Sequence, residues 1–145
     1  MPGREFRPHK GIVDAVIRAA HSVHRCLGFC HREQSYREAL GDAIADLGLA
    51  VVSEQAVPLI VEGRLCSWLY PDLVVDSTVV VECKATPNWL RDSDLAQILT
   101  YLAVCRLPVG VLLNFGLPRL ECRRTLPPAR PDEWIQCVAP YRRLR

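Results

Sequence analysis

Lysine is almost missing from this chain: of its 18 basic residues only Lys10 and Lys84 are lysines. Long apolar runs are missing too. Stretches such as Val79–Val81 and Val109–Leu113 are far too short for a bilayer-spanning helix. The first ten residues, Met1 to Lys10, are charged and contain proline, unlike an export leader, so a cytoplasmic location is expected. Net charge is only +2, which excludes an argument about partners from bulk charge. The seven cysteines are odd in number and irregularly spaced, which speaks against a disulfide framework. Cys26 and Cys30 form one close pair, but there is no second close pair to complete a metal or iron–sulfur site, so thiols are expected. No internal repeat is visible.

What is present is a one-domain length of 145 residues with half of them apolar. Val13, Val16, Ile17, Ala20, Val23 and Leu27 recur at helical spacing, which predicts a helix over 11–27 stopped by Gly28. Tyr36, Leu40, Ala43, Ile44 and Leu47 predict a second helix over 32–47, ended by Gly48 and carrying Glu33 in its first turn. Strand texture follows. An edge strand is expected over 49–57, then a hairpin of 59–61 and 65–70 around Glu62-Gly63, then a second hairpin of 73–75 and 78–83 around Asp76-Ser77. A helix capped by Asp92 or Ser93 should run to Cys105, followed by strands over 109–115 and 120–126. This order predicts an α/β fold, a mixed central sheet flanked by helices. Residues 1–10 are expected as an extension, 11–126 as the domain and 127–145, with four prolines, as an irregular tail.

The second hairpin carries the chemistry. Alternate strand residues share a face, so Glu82 and Lys84 are neighbours, and Asp72 starts the partner strand. A Glu-x-Lys pair on a strand is usually a solvated pair. Here Val79, Val80, Val81 and Cys83 make an apolar run that implies burial on both faces. Buried charges cost free energy unless they are paired or bind metal. Two carboxylates and the Cys83 carbonyl are hard oxygen ligands suited to Mg2+ or Mn2+. Such an ion could polarise a phosphate and generate hydroxide, with the Lys84 ammonium stabilising charge on phosphorus. A chain that so rarely uses lysine places one at position 84, where a compact point charge is not interchangeable with a guanidinium.

Pro71-Asp72 followed by Glu82-Cys83-Lys84 resembles the PD-(D/E)xK nuclease pattern. Arg32-Glu33-Gln34-Ser35-Tyr36 resembles the Glu-x-x-Tyr of the GxxExxY proteins, a branch of that superfamily, with Cys30 where the glycine would stand. Val23-His24-Arg25, Leu27-Gly28, Tyr36–Leu40, Gln97–Leu102 and Asn114-Phe115-Gly116 extend the likeness over roughly residues 12–125. The resemblance implies a restriction-endonuclease-like core. It implies Asp72 and Glu82 as central metal ligands, Lys84 as base or phosphate stabiliser, and Glu33 completing the metal shell directly or through water. Gln97 and Tyr101, four apart on one helix face, match the Gln-x-x-x-Tyr of RecB-like nucleases and would contact substrate phosphate or water. Cys26, Cys30, His24 and His31 are read as structural. Arg25, Arg32, Arg37, Arg119, Arg123 and Arg124 are candidates for a phosphate-binding rim, with scattered solvated arginines as the plain alternative.

The expectation is a Mg2+- or Mn2+-dependent nuclease acting on nucleic acid, DNA before RNA, with the oligomeric state open and a homodimer among the options. One rival is a catalytically silent nucleic-acid- or protein-binding module on the same fold. Another is a redox or metal module built on the cysteines. Strand parity adds a structural condition. A two-residue turn at Asp76-Ser77 would put Asp72 and Glu82 on opposite faces. A three-residue loop through Thr78, or a β-bulge, would put them on the same face.

Overall fold

The structure is a computed structural model that describes residues 8–129. The expected extension and tail fall partly outside it, at residues 1–7 and 130–145. Among the described residues three helices, α1 (Lys10–Leu27), α2 (Glu33–Asp46) and α3 (Asp92–Cys105), accompany seven strands. These are β1 (Val51–Ser53), β2 (Val57–Val61), β3 (Arg64–Leu69), β4 (Leu73–Val75), β5 (Val79–Lys84), β6 (Val109–Asn114) and β7 (Glu121–Thr125). Five of them form a mixed sheet in the order β1-β4-β5-β6-β7. Only β5 and β6 run parallel, and α3 makes the crossover that a parallel pair requires. No helix among the described residues is long and apolar enough to cross a membrane.

The central strands are apolar on both faces because both faces are covered. Leu73, Val75, Val79, Val81 and Cys83 point into a core shared with Val13, Val16 and Ala20 of α1 and Tyr36, Leu40 and Ile44 of α2. Val80 and Leu112 point the other way, against Ile98, Tyr101 and Leu102 of α3. Alternation along β5 therefore sorts its side chains between two helical layers.

Several expectations need correction. The edge strand expected over 49–57 is only Val51–Ser53. Glu54 turns to φ 49° there and its N–H binds Asp72 O at 3.1 Å, and the chain then leaves the main sheet. The hairpin around Glu62-Gly63 exists, with φ 51° and 75° at its two turn residues, but β2 and β3 form a separate two-stranded sheet. Helix α3 is capped by Arg91, not by Asp92 or Ser93. The Asp94 carboxylate reaches back to the Arg91 N–H at 2.9 Å, which places Asp92 inside the first turn.

One glycine bears directly on the site. A Cβ at Gly116 would stand 2.4 Å from both the N and the O of Thr86, so the backbone after β6 packs on the backbone after β5. Gly116→Ala is expected to cost roughly 1–3 kcal/mol, the usual scale of overpacking. Its melting temperature, compared with that of the parent, tests this, and an unchanged value would show that the two loops can separate freely.

Candidate active site

The site forms where β5 ends and β4 begins. Val75 pairs with Val79, Val74 with Val80 and Leu73 with Val81. The connecting loop is thus the three residues Asp76, Ser77 and Thr78, as the parity condition requires. Asp76 and Ser77 both take φ 50°, the Thr78 N–H binds Val75 O at 2.9 Å, and Thr78 is the extra residue. One further step along this register sets Asp72 opposite Glu82. The two are laced together by the backbone. Asp72 N–H donates to Glu82 Oε1 at 2.8 Å, and Cys83 N–H donates to Asp72 Oδ2 at 2.8 Å. Glu82 is 2 % exposed and Asp72 7 %.

Burial sets the electrostatics. It pushes the Glu82 carboxyl well above the usual carboxylate range, and the Asp72 charge adds to this. Asp72 is also raised by burial, opposed by the Cys83 N–H and by Arg37. Glu33, half-buried at the start of α2, is raised by burial and pulled back by Lys84. Burial also pushes Tyr101 up to about 12, with the Glu82 charge adding, so its hydroxyl keeps its proton at neutral pH.

Lys84 ends β5 on the same face as Glu82. Its Nζ donates to Gln97 Oε1 at 2.7 Å, and Gln97 Nε2 donates to the Tyr101 hydroxyl at 3.0 Å. The two residues from α3 thus form a relay that holds the lysine. An open cavity of about 300 Å³ lies beside it, lined by Glu33, Lys84, Thr86, Trp89, Arg91 and Asp94 among others.

The Glu33 end of α2 is held by Tyr36. Its hydroxyl donates to Gly28 O at 2.6 Å and accepts from His31 N–H at 3.2 Å, while its ring stacks on Phe115 at 4.6 Å. The turn before α2 is therefore tied down with Cys30 in it. His24 Nε2 meets Leu117 O at 2.9 Å and His31 Nε2 meets Leu27 O at 2.7 Å, both structural contacts. The six described cysteines are free thiols.

The arginines separate. Arg25, Arg32 and Arg119 are exposed. Arg123 pairs with Glu121 at 3.3 Å, and Arg124 donates to the Pro8 carbonyl. Arg37 departs from the expected rim. It is largely buried and lies 3.6 Å from Asp72 Oδ1 and 3.3 Å from Glu54 Oε1, inside the acidic centre. Its position four residues after Glu33, on the same helix face, was the available signal.

Sequence reasoning assigned no role to the two buried groups that hold the loop after Lys84. The fully buried Asn114 accepts from Thr86 N–H at 3.1 Å and donates to Thr86 O and Asn88 O at 3.2 and 2.9 Å. Glu121 accepts from Leu90 N–H at 2.9 Å. The hints were a polar residue ending an apolar strand, as Asn114 does, and the family-like Asn114-Phe115-Gly116.

The donor set suits a hard divalent cation. Each buried carboxylate is anchored through one oxygen; the second oxygen of Asp72 faces Arg37 at 3.6 Å, and the Cys83 carbonyl is a further oxygen. Among the described residues no three His, Cys, Asp or Glu side chains form a ready-made metal cage. The family model of the PD-(D/E)XK nuclease superfamily matches residues 10–125. The chain belongs to this superfamily. The mixed sheet flanked by helices is the restriction-endonuclease-like arrangement. No curated protein and no solved structure matches the chain.

Proposed function

We propose that this PD-(D/E)XK chain is a metal-dependent nuclease that hydrolyses phosphodiester bonds of nucleic acid, with DNA the preferred substrate. The observation that carries this is the three-residue Asp76–Thr78 loop, whose register brings Asp72 and Glu82 onto one face beside Lys84. Two buried carboxylates with raised proton affinity have no cheap structural use, because hydrophobic residues would stabilise the sheet better.

Asp72, Glu82 and the Cys83 carbonyl would hold Mg2+ or Mn2+. When bound, the ion supplies a Lewis acid and lowers the pKa of coordinated water. Lys84, fixed through Gln97, directs its ammonium at the attacking water and at the charge that develops on the phosphoryl oxygens. Water adds to phosphorus, the P–O bond to the leaving sugar oxygen breaks, and that oxygen takes up a proton. Glu33 acts through water on the cavity side of Lys84. Tyr101 keeps its proton and positions Gln97. Arg37, 3.6 Å from Asp72 Oδ1, offsets part of that carboxylate's charge and would receive a phosphate oxygen of the substrate. Glu33 and Tyr36, arranged as Glu-x-x-Tyr, support placing the chain in the GxxExxY branch.

The test is one assay of single- and double-stranded DNA and RNA, with Mg2+, with Mn2+ and with chelator. Cleavage that chelator removes and metal restores is expected. Binding without cleavage of any of the four substrates would replace this reading with a silent binding module.

A further inference from the structure

Trp89 has the most solvent-exposed large apolar side chain among the described residues, at 70 %. Tryptophan on average is highly buried, so this exposure asks for a reason. A loose loop would be one, but this loop is not loose. The residue before Trp89 is anchored by the Asn88 O bond to Asn114 Nδ2 at 2.9 Å. The residue after it is anchored by the Leu90 N–H bond to Glu121 Oε1 at 2.9 Å. Both anchoring groups are buried, and Gly116 lets the Thr86 backbone seat against the next loop. Two buried polar side chains thus hold the backbone on either side of an indole that itself stays in solvent.

The surroundings say what that indole meets. Trp89 lines the same cavity as Lys84, Glu33 and Arg91, together with Thr86 and Asp94. The core of a protein-docking surface is depleted of charged residues, whereas this indole stands among charged and hydroxyl side chains. One flat aromatic face beside a cation and a guanidinium is the arrangement that takes a base and its phosphate.

We propose that Trp89 is a stacking platform for an unpaired base of the nucleic acid, adjacent to the phosphate presented to Lys84. The proposal rests on the nuclease reading of the site and narrows its substrate to single strands, frayed ends or flaps. Within a duplex each base is already stacked on its neighbours, so only an unpaired or terminal base has a face free for the indole. Stacking accepts every base, so this platform selects strandedness and not sequence. Arg91, two residues on, receives the neighbouring phosphate.

The test measures binding separately from cleavage. A dye-labelled single-stranded DNA oligonucleotide and its duplex are titrated by fluorescence anisotropy with the full chain in Ca2+, and cleavage of both is measured in Mg2+ or Mn2+. Trp89→Ala is expected to weaken single-strand binding roughly 5- to 100-fold, the range of one base–aromatic stack. Its cleavage loss should fall on KM, its melting temperature should match the parent's, and Trp89→Phe should recover part of the affinity. Equal single-strand binding by Trp89→Ala and parent overturns the platform, as does a parent that binds duplex more tightly than single strand. Either result leaves the nuclease reading to be judged by cleavage. Single-strand binding that depends on Trp89, without cleavage of any substrate, upholds the platform and refutes the nuclease reading.

Discussion

Lys84→Ala is expected to lower kcat/KM for metal-dependent cleavage by about 10²- to 10⁴-fold, the scale on which a positioned acid–base or charge-stabilising group acts. Asp72→Ala and Glu82→Ala are expected to lose at least as much, because each removes a carboxylate proposed to hold the cation. Lys84→Arg should also fail. Its planar guanidinium cannot take the place of an Nζ set 2.7 Å from Gln97 Oε1, and it is no compact point charge. Gln97→Ala should cost less, on the order of tenfold, the scale of one hydrogen bond. Because Gln97 acts through Lys84, the double variant should be no worse than Lys84→Ala alone. Far-ultraviolet circular dichroism of each variant separates lost chemistry from lost fold. If Asp72→Ala, Glu82→Ala and Lys84→Ala all cut like the parent in Mn2+, the nuclease assignment is wrong.

Metal-free protein is expected to lose stability as pH rises, and added Mg2+ or Mn2+ to restore it. The sign follows from the direction of the carboxyl shifts. Burial raises Glu82 well above the usual range, with Asp72's charge adding, and burial raises Asp72. A group whose folded pKa exceeds its unfolded value, about 4 for these residues, binds protons more tightly in the folded state. Its contribution is fully present below the unfolded value and is lost as pH climbs through the folded one. The melting temperature without metal should therefore decline as pH rises above about 4, on account of this pair. Metal binds the deprotonated carboxylates, so the stabilisation it brings should grow over the same interval. Glu82→Gln carries no titrating proton. It should flatten the decline, raise the metal-free melting temperature at neutral pH and abolish most of the metal-induced rise. A Glu82→Gln protein with the parent's pH slope and the parent's response to metal would refute this account of the pair.

Much of the candidate site is legible in the sequence because it is written in short-range periodicities. Strand alternation places Glu82 and Lys84 on one face whatever the rest of the fold does. Parity then demands an odd loop or a bulge if Asp72 is to join them, and the loop Asp76, Ser77 and Thr78 supplies it. The spacing of Gln97 and Tyr101 likewise forces them onto one side of α3, where they are hydrogen-bonded to each other. The turn before Glu33 and Tyr36 was readable as a unit, although the reason it holds with Cys30 in it was not. That reason is the Tyr36 hydroxyl, bridging Gly28 and His31.

The sequence by itself determined what repeats every two or 3.6 residues: the three helices, the strands of the central sheet, the burial of β5 on both faces and the charged cluster at its end. Only the tertiary structure decided which distant groups meet. Arg37 could be read as a surface arginine until α2 packed over the sheet and brought it to 3.6 Å from Asp72. The β2–β3 hairpin follows from its turn residues, but its separation from the main sheet depends on which edges remain free. The loop carrying Trp89 shows no local pattern. Asn114 and Glu121, more than 25 residues downstream, hold it in place. The physical reason is the same each time. Backbone geometry propagates only from neighbour to neighbour, whereas a side-chain contact between remote segments is set by the packing of all the elements between them.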